Sequence, residues 1–259
     1  MGFFSRLFGS KTPAHPPRDV AAMAAHLAQP AVQIIAGLPV RSGEPVHSWF
    51  LGEPDLAPGA DWPTREGRRI DHILTLDLAE AQALVPVDWL PASGSLAVFY
   101  DQKKGPYGKA SQRDGWRTLY RPERATSRSP DSRRLELKAF RSYVDAEGLR
   151  ADALDLNDEE WDIYCGLEMA QTGVEYCHQF VGHAATIQGP ALEQECEAES
   201  TGIKIEDAGK SDWRLLLQVS TDESIDFMFG DAGNVYYMIR ERDARTARFD
   251  DVWLIGDCF

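Results

Sequence analysis

The chain has 259 residues, 43% of them apolar, and a formal net charge of −14 at pH 7. That is enough length and apolar content for a sizeable buried core, and no apolar run reaches the roughly 20 residues a bilayer-spanning helix needs. So acidic a chain lacks the basic face that a phosphate backbone requires, which excludes nucleic acid as a general partner.

The amino terminus, MGFFSRLFG, has no long apolar region and no small-residue cleavage site, so no secretion signal is read and a cytoplasmic location is expected. Phe3, Phe4, Leu7 and Phe8 with Arg6 and Lys11 are predicted to make at most a weak membrane-surface contact through residues 3–8. Residues 1–18 read as a flexible tail running through TPAHPPRD, and residues 19–259 as a single domain.

Asp19 to Leu27 is alanine-rich behind an acidic residue and predicts a helix that Pro30 stops. Val32 to Ile35 predicts a short strand ending at Gly37. The stretch HSWFLGEPDLAPGADWP, residues 47–63, is broken by prolines and glycines yet holds Trp49, Phe50, Leu51, Leu56 and Trp62. It is predicted to be an irregular arm packed on the body. IDHILTLDL alternates Ile70, His72, Leu74, Leu76 and Leu78 as a half-buried strand does. A short helix over Ala79–Leu84 and a Pro-Ala-Ser-Gly turn lead into the strand SLAVFYD.

Gln102–Pro130 is rich in Gly, Ser, Arg and Pro and reads as a long irregular excursion. Residues 103–150 carry 13 basic and 6 acidic residues, and residues 151–212 carry 2 basic and 15 acidic ones. The two blocks are expected to neutralise each other or to form solvated faces. Asn157 with Glu160 is a capping-box signature for a helix running to about Thr172 and ending at Gly173. Its stripe of Trp161, Tyr164, Cys165, Leu167 and Met169 is expected to dock on a shared sheet.

The pattern then repeats. His178-Gln-Phe-Val-Gly182 echoes His47 to Gly52, RLLLQVSTDE from Arg214 echoes DHILTLDLAE with Gln218 where Thr75 stands, and GNVYYMI from Gly233 echoes GSLAVFY from Gly94. The pseudo-repeats span about 47–101 and 178–240. Within FMFGDAGNVYYMI, the second copy has a carboxylate where the first has Pro-Ala-Ser-Gly, so Asp231 to Asn234 reads as a hairpin turn rather than an ion loop. Gly233 is expected to supply the positive φ, with Asp231 or Asn234 capping it.

No complete catalytic motif emerges. The four cysteines show no Cys-x-x-Cys pair and are expected to be reduced. Cys177, His178, His183 and Cys196 lack the tight pairs that zinc favours, so neither metal nor cofactor is expected. A Cys-His nucleophile built on Cys165, Cys177 or Cys258 would need a base within reach, and Cys165 falls on the predicted buried helix face. Asp77, Asp222, Glu223, Asp226 and Asp231 sit at strand ends, where capping is the first expectation and an acid/base pair or a cation site the second. The arms are the better functional candidates: His47 and His178 each precede an apolar, Gly-containing segment, and two-fold-related arms frame a cleft. The candidate ligand-binding set is His47, Trp62, His178, Gln218 and Asp231.

The stretches HSWFLGEPDLAPGADWP, HILTLDL, SGSLAVFYD, HQFVGHAATIQG, LLLQVSTDE, GDAGNVYYMI and FDDVWLIGDC together resemble the YwqG-like proteins, a widespread bacterial family of unknown function. The resemblance covers about His47 to Cys258. It implies an α+β fold of two related halves sharing one body, and no established reaction. The family generally has Lys and Gly-Gly where His47 and Leu51-Gly52 stand here, and the basic stretch after Asp101 looks like an insertion.

Together these readings predict an α+β protein of two related halves, with mostly antiparallel sheet forming one body and helices at the periphery. The function expected is non-catalytic binding of a protein partner of basic character, toxin-immunity-like. The alternative is a hydrolase with a carboxylate/histidine site between the halves.

Overall fold

The structure, a computed structural model, describes residues 18–144, 154–189, 191–209 and 212–259. The expected tail over residues 1–17 and its membrane contact lie outside them. After a one-turn helix α1 (Val20–Ala24), capped by the Asp19 carboxylate accepting from the Ala22 N–H at 3.0 Å, comes β1 (Gln29–Pro39). It is far longer than the four residues expected. Pro30 falls within its first turn of pairing, near the sheet's end, where a missing donor is tolerated. β1 pairs antiparallel with β8 (Arg133–Ser142), and this pair is the centre of the molecule.

On one side of the pair lie β2 (Trp49–Phe50), β5 (Asp71–Asp77), β6 (Ser95–Tyr100) and β7 (Trp116–Arg121). On the other lie β9 (His178–Phe180), β10 (Trp213–Ser220), β11 (Asn234–Arg240) and β12 (Trp253–Asp257). The order is β12-β11-β10-β9-β1-β8-β2-β5-β6-β7, antiparallel throughout. The two halves therefore correspond strand for strand, with one exchange: β1 of the first half borders β9, and β8 borders β2. A two-residue hairpin, β3 (Thr64–Arg65) and β4 (Arg68–Arg69), sits in the first arm.

The register fixes the correspondence. Trp49 faces Thr75 and Phe50 faces Leu74, as Gln179 faces Gln218 and Phe180 faces Leu217. Both short strands end in two left-handed residues, Leu51 (φ 61°) and Gly52 (φ 64°), then Val181 (φ 53°) and Gly182 (φ 85°). Positive φ is costly for Leu and more so for β-branched Val. The sheet holds them there: Leu51 N–H donates to Ile73 O at 3.0 Å, and Val181 N–H to Leu216 O at 3.2 Å. This pairing places His178 against Ser48, one residue off the match of His47 with His178 read from the sequence.

The sheet curls until its edges meet, and the inside is filled by residues of both halves, among them Val32, Phe50, Leu76, Val98, Phe180, Leu217, Val235 and Tyr237. Each such side chain contributes about 1.5–3 kcal/mol by leaving water. The outer face of β5 and β6 is not open: Ile70, Ala97 and Phe99 form a second cluster under Leu56 and Trp62 of the arm. For this reason β5 is buried on both faces instead of alternating.

Six helices lie at the periphery among the described residues: α1, α2 (Leu78–Leu84), α3 (Asp158–Cys165), α4 (Met169–Thr172), α5 (Leu192–Thr201) and α6 (Glu241–Arg245). None is long and apolar enough to cross a membrane. The capping box of Asn157 and Glu160 and the left-handed cap at Gly173 form as read. The helix between them does not dock as one rod. It breaks at Gly166, Tyr164 packs with Val20 and Ala24, and Cys165 and Met169 are exposed. The excursion after Asp101 is also more ordered than expected, supplying β7 and a 3-10 turn (Ala110–Gly115). Its cations mostly meet carboxylates of the first half: Arg121 with Asp55, Arg124 with Asp77 and Glu80, Lys104 with Glu66. Among the described residues Lys109–Glu199 is the ion pair that joins the basic and acidic blocks; their other links are hydrogen bonds, such as Lys138 Nζ to Gln171 O.

Candidate functional site

Each arm leaves the sheet at its left-handed pair and is tied down by side chains from the strand ends. In the first arm the His72 ring is buried between Gly52 and Thr75. Its Nδ1–H donates to Gly52 O at 3.2 Å, and Nε2 accepts from the Thr75 hydroxyl at 2.9 Å. Burial lowers its pKa to about 4, so the ring is neutral. Arg121, the last residue of β7, donates to Asp55 O at 2.9 Å and pairs with its carboxylate, whose other oxygen accepts the Thr126 N–H. His47 bonds Ala125 O at 2.9 Å, and Trp62 donates to Ile70 O at 2.8 Å while packing edge-on against Phe99.

In the second arm Asp257, which takes the place of Arg121 at the end of β12, accepts the N–H groups of Ile187 and Gln188, both at 2.8 Å. Gln218 Oε1 accepts the Ala185 N–H at 2.9 Å, and the Tyr236 hydroxyl donates to Ala185 O at 2.8 Å. His178 is buried with both ring nitrogens occupied: Nδ1 accepts the Ser220 N–H, and Nε2 lies 3.1 Å from Asp222 Oδ2. That contact, offset in part by burial and aided by Ser224, holds the Asp222 carboxyl well below the usual carboxylate range. The first half makes the corresponding bond with Ser48, whose hydroxyl accepts the Asp77 N–H at 3.0 Å.

The five candidate residues are thus placed as follows. His178 and Gln218 are neighbours at the base of the second arm, both near the Cys177 carbonyl and Ser220. His47 and Trp62 belong to the first arm, and Asp231 is exposed at the tip of the β10–β11 connection. Apart from Ser220, which bonds both His178 and Gln218, they share no hydrogen-bond partner among the described residues, and they line neither of the two cavities described below. The turn at Asp231 is built otherwise than expected. Gly230 (φ 53°) and Ala232 (φ 62°) take the left-handed conformation, and Gly233 does not. Gly233 is required for space, since a Cβ there would lie 2.3 Å from Asp257 O.

Two of the thiols are poorly suited to attack. Burial and Glu168 push Cys177 up to about 12, and burial holds Cys196 well above its ordinary value. Cys258 Sγ lies 3.6 Å from the Tyr107 hydroxyl. Cys165, expected on a buried face, is exposed because α3 sits at the rim.

Two concave features stand out among the described residues. One is a small, partly open space of about 70 Å³ beneath the first arm, bounded by Leu56, Thr75, Ser95, Ala97, Leu119 and Arg121. The other is an open groove of about 600 Å³ between α5 and the loop Tyr107–Ala110. This loop crosses the closing seam of the sheet and lies flat on β12. Gly256 N–H donates to Tyr107 O, the Trp253 indole donates to Gly108 O at 2.9 Å, and a Cβ on Gly108 would lie 2.1 Å from Leu254 O. Ile255 lies on its floor, and Ile203 and Ile205, both exposed, lie along its wall.

Glu195 and Glu199 enter this groove from one face of α5, being four residues apart. Glu199 is spoken for: it accepts from Lys109 Nζ and the Ala110 N–H, both at 2.9 Å. Glu195 is half-buried, and no group donates a hydrogen bond to its carboxylate among the described residues. Burial, with Asp257 and Glu199 nearby, raises its pKa against the pull of Lys109. Sequence reasoning read the acidic block as a solvated face. The signal it passed over is the i, i+4 spacing of Glu195 and Glu199 with Ile203 and Ile205 close behind.

In comparisons with known proteins, residues 48–258 match the family described as a domain of unknown function, DUF1963. No curated protein matches the chain.

Proposed function

Since the chain belongs to the DUF1963 family, which carries no assigned activity, we propose that it is a binding protein whose groove beside α5 takes a basic peptide segment of a protein partner. On this reading it is a bacterial, YwqG-like, cytoplasmic protein, and its partner could be a basic toxin domain. The observation that carries the proposal is Glu195: a half-buried carboxylate to which no described residue donates, set in a groove of partner-segment size whose mixed lining includes Ile203, Ile205 and Ile255. An arginine or lysine would supply the missing donors, and its stem would cover Ile203 and Ile205. The net charge of −14 would steer such a partner in. His47, His178 and Gln218 hold the arms in this account. A hydrolase built on His178 and Asp222 is less well supported, because the imidazole has no nitrogen left to take a proton from water or a nucleophile.

The test is calorimetric titration with two short peptides, one alternating Leu with Arg and one alternating Leu with Glu. The arginine peptide is expected to bind, more weakly as salt rises and more tightly as pH rises through the raised Glu195 pKa, because the carboxylate must ionise. Glu195→Gln should cost roughly tenfold, about 1.4 kcal/mol. Equal binding of the two peptides, or no effect of Glu195→Gln, would overturn the reading.

A further inference from the structure

The internal repeat gives each arm a counterpart against which it can be compared. Ala97 on β6 stands opposite Thr75 and Leu119; Tyr236 on β11 stands opposite Gln218 and Ile255. With the left-handed pairs superposed, Asp55 of the first arm corresponds to Ala185 of the second. In the second half the Tyr236 ring fills the space under the arm, and its hydroxyl reaches Ala185 O. In the first half the same positions carry Thr75 and Ala97, smaller by most of a side chain each, and there the partly open space of about 70 Å³ is found.

We propose that this space is a binding site for a small phenol, whose ring takes the place that the Tyr236 ring fills in the other half. The walls suit such a guest: Leu56, Ala97 and Leu119 are apolar. The polar groups also converge there. Ser95 is buried and its Oγ accepts the Ala125 N–H, which leaves its own proton to donate. Arg121 Nε is buried without a hydrogen-bond partner among the described residues; Glu123 Oε2 is 3.8 Å from it, beyond hydrogen-bond reach, and Nη1 is held by Asp55. A phenolic oxygen placed between Ser95 and Arg121 would satisfy an orphaned donor that otherwise costs stability. By volume the space exceeds the roughly 10–15 Å³ that one water needs and falls well short of the roughly 300–1,000 Å³ of pockets for drug-sized ligands. A single substituted ring is the size class it admits, and the site is separate from the groove beside α5.

The probe is p-cresol, the side chain of tyrosine as a free molecule, followed by ligand-observed NMR and by thermal melts of the full chain. Saturable binding to the wild type is expected, with toluene at least fivefold weaker for want of the hydroxyl. Ala97→Tyr, which builds the second half's solution into the first, should weaken p-cresol at least tenfold and remove its effect on the melt. If Ala97→Tyr does not fold, Ala97→Leu fills the same space and should act in the same direction. No saturable binding of p-cresol at millimolar concentration, or equal binding to wild type and the filled variant, would overturn the site. Toluene binding as tightly as p-cresol would overturn the assignment of Ser95 and Arg121 to a hydroxyl.

Discussion

The indole of Trp116, first residue of β7, meets that of Trp253, first residue of β12, edge to face with ring centroids 5.5 Å apart and planes at 72°. The two strands are the edges of the ten-stranded sheet, so this contact closes it. Trp116 Nε1 donates to Val252 O at 3.2 Å and Trp253 Nε1 to Gly108 O at 2.9 Å, which satisfies both buried donors across the seam.

Removing either ring should therefore open the seam. Trp116→Ala and Trp253→Ala are each expected to cost about 3–5 kcal/mol, the range for buried aromatics. Because the rings touch, the double variant should cost less than the sum, by about 0.5–3 kcal/mol. Urea denaturation of the four proteins measures this; strict additivity would show that the indoles stabilise their strands independently.

At Gly233 the expected lesion is steric. Gly233→Ala would drive a Cβ to 2.3 Å from Asp257 O, so it should destabilise by about 1–3 kcal/mol or more. Asp231→Ala, at an exposed turn position, should fall within about 0.5 kcal/mol of wild type. The reverse ranking in thermal melts would overturn the steric account of Gly233.

His72 should make the fold acid-sensitive. Its pKa is about 4 when folded and 6.5 in the reference state, so the unfolded chain binds the proton more tightly between these values. The contribution is complete above pH 6.5 and is lost as pH falls toward 4, amounting to about 3 kcal/mol over that window. His72→Gln should flatten this part of the stability–pH curve measured by denaturant titration. An unchanged slope would mean that other groups dominate.

The exchange of β1 and β8 predicts how fragments behave. Residues 1–130 retain β1 but lack both of its partners, β8 and β9, while residues 131–259 lack β1 and leave β9 half-paired. Each fragment alone should be insoluble or protease-sensitive, and the two expressed together should associate into a soluble pair. A cooperative melt from either fragment alone would sink the exchanged-strand account.

Much of this was legible locally. The caps at Asn157 and Gly173, the helix start at Asp77 and the order of arm, strand and aromatic strand are properties of a few adjacent residues. The internal repeat was legible too, since Thr75 and Gln218 do take the same place. It slipped by one only at His47, because the shared anchors are Phe50–Gly52 and Phe180–Gly182 rather than the histidines.

What the sequence by itself determined, then, was where strands start and stop, since periodicity, caps and left-handed positions are set by neighbours in the chain. The tertiary structure alone decided which strand lies beside which, because an unpaired strand edge accepts any suitable partner and only burial chooses β9 for β1. It also decided why Gly233 must be glycine, through the distant Asp257 carbonyl. It decided that Glu195 faces a groove, through a loop that reaches α5 from across the seam. Contacts of that kind are selected by the packing of segments far apart in the chain, and no local pattern encodes them.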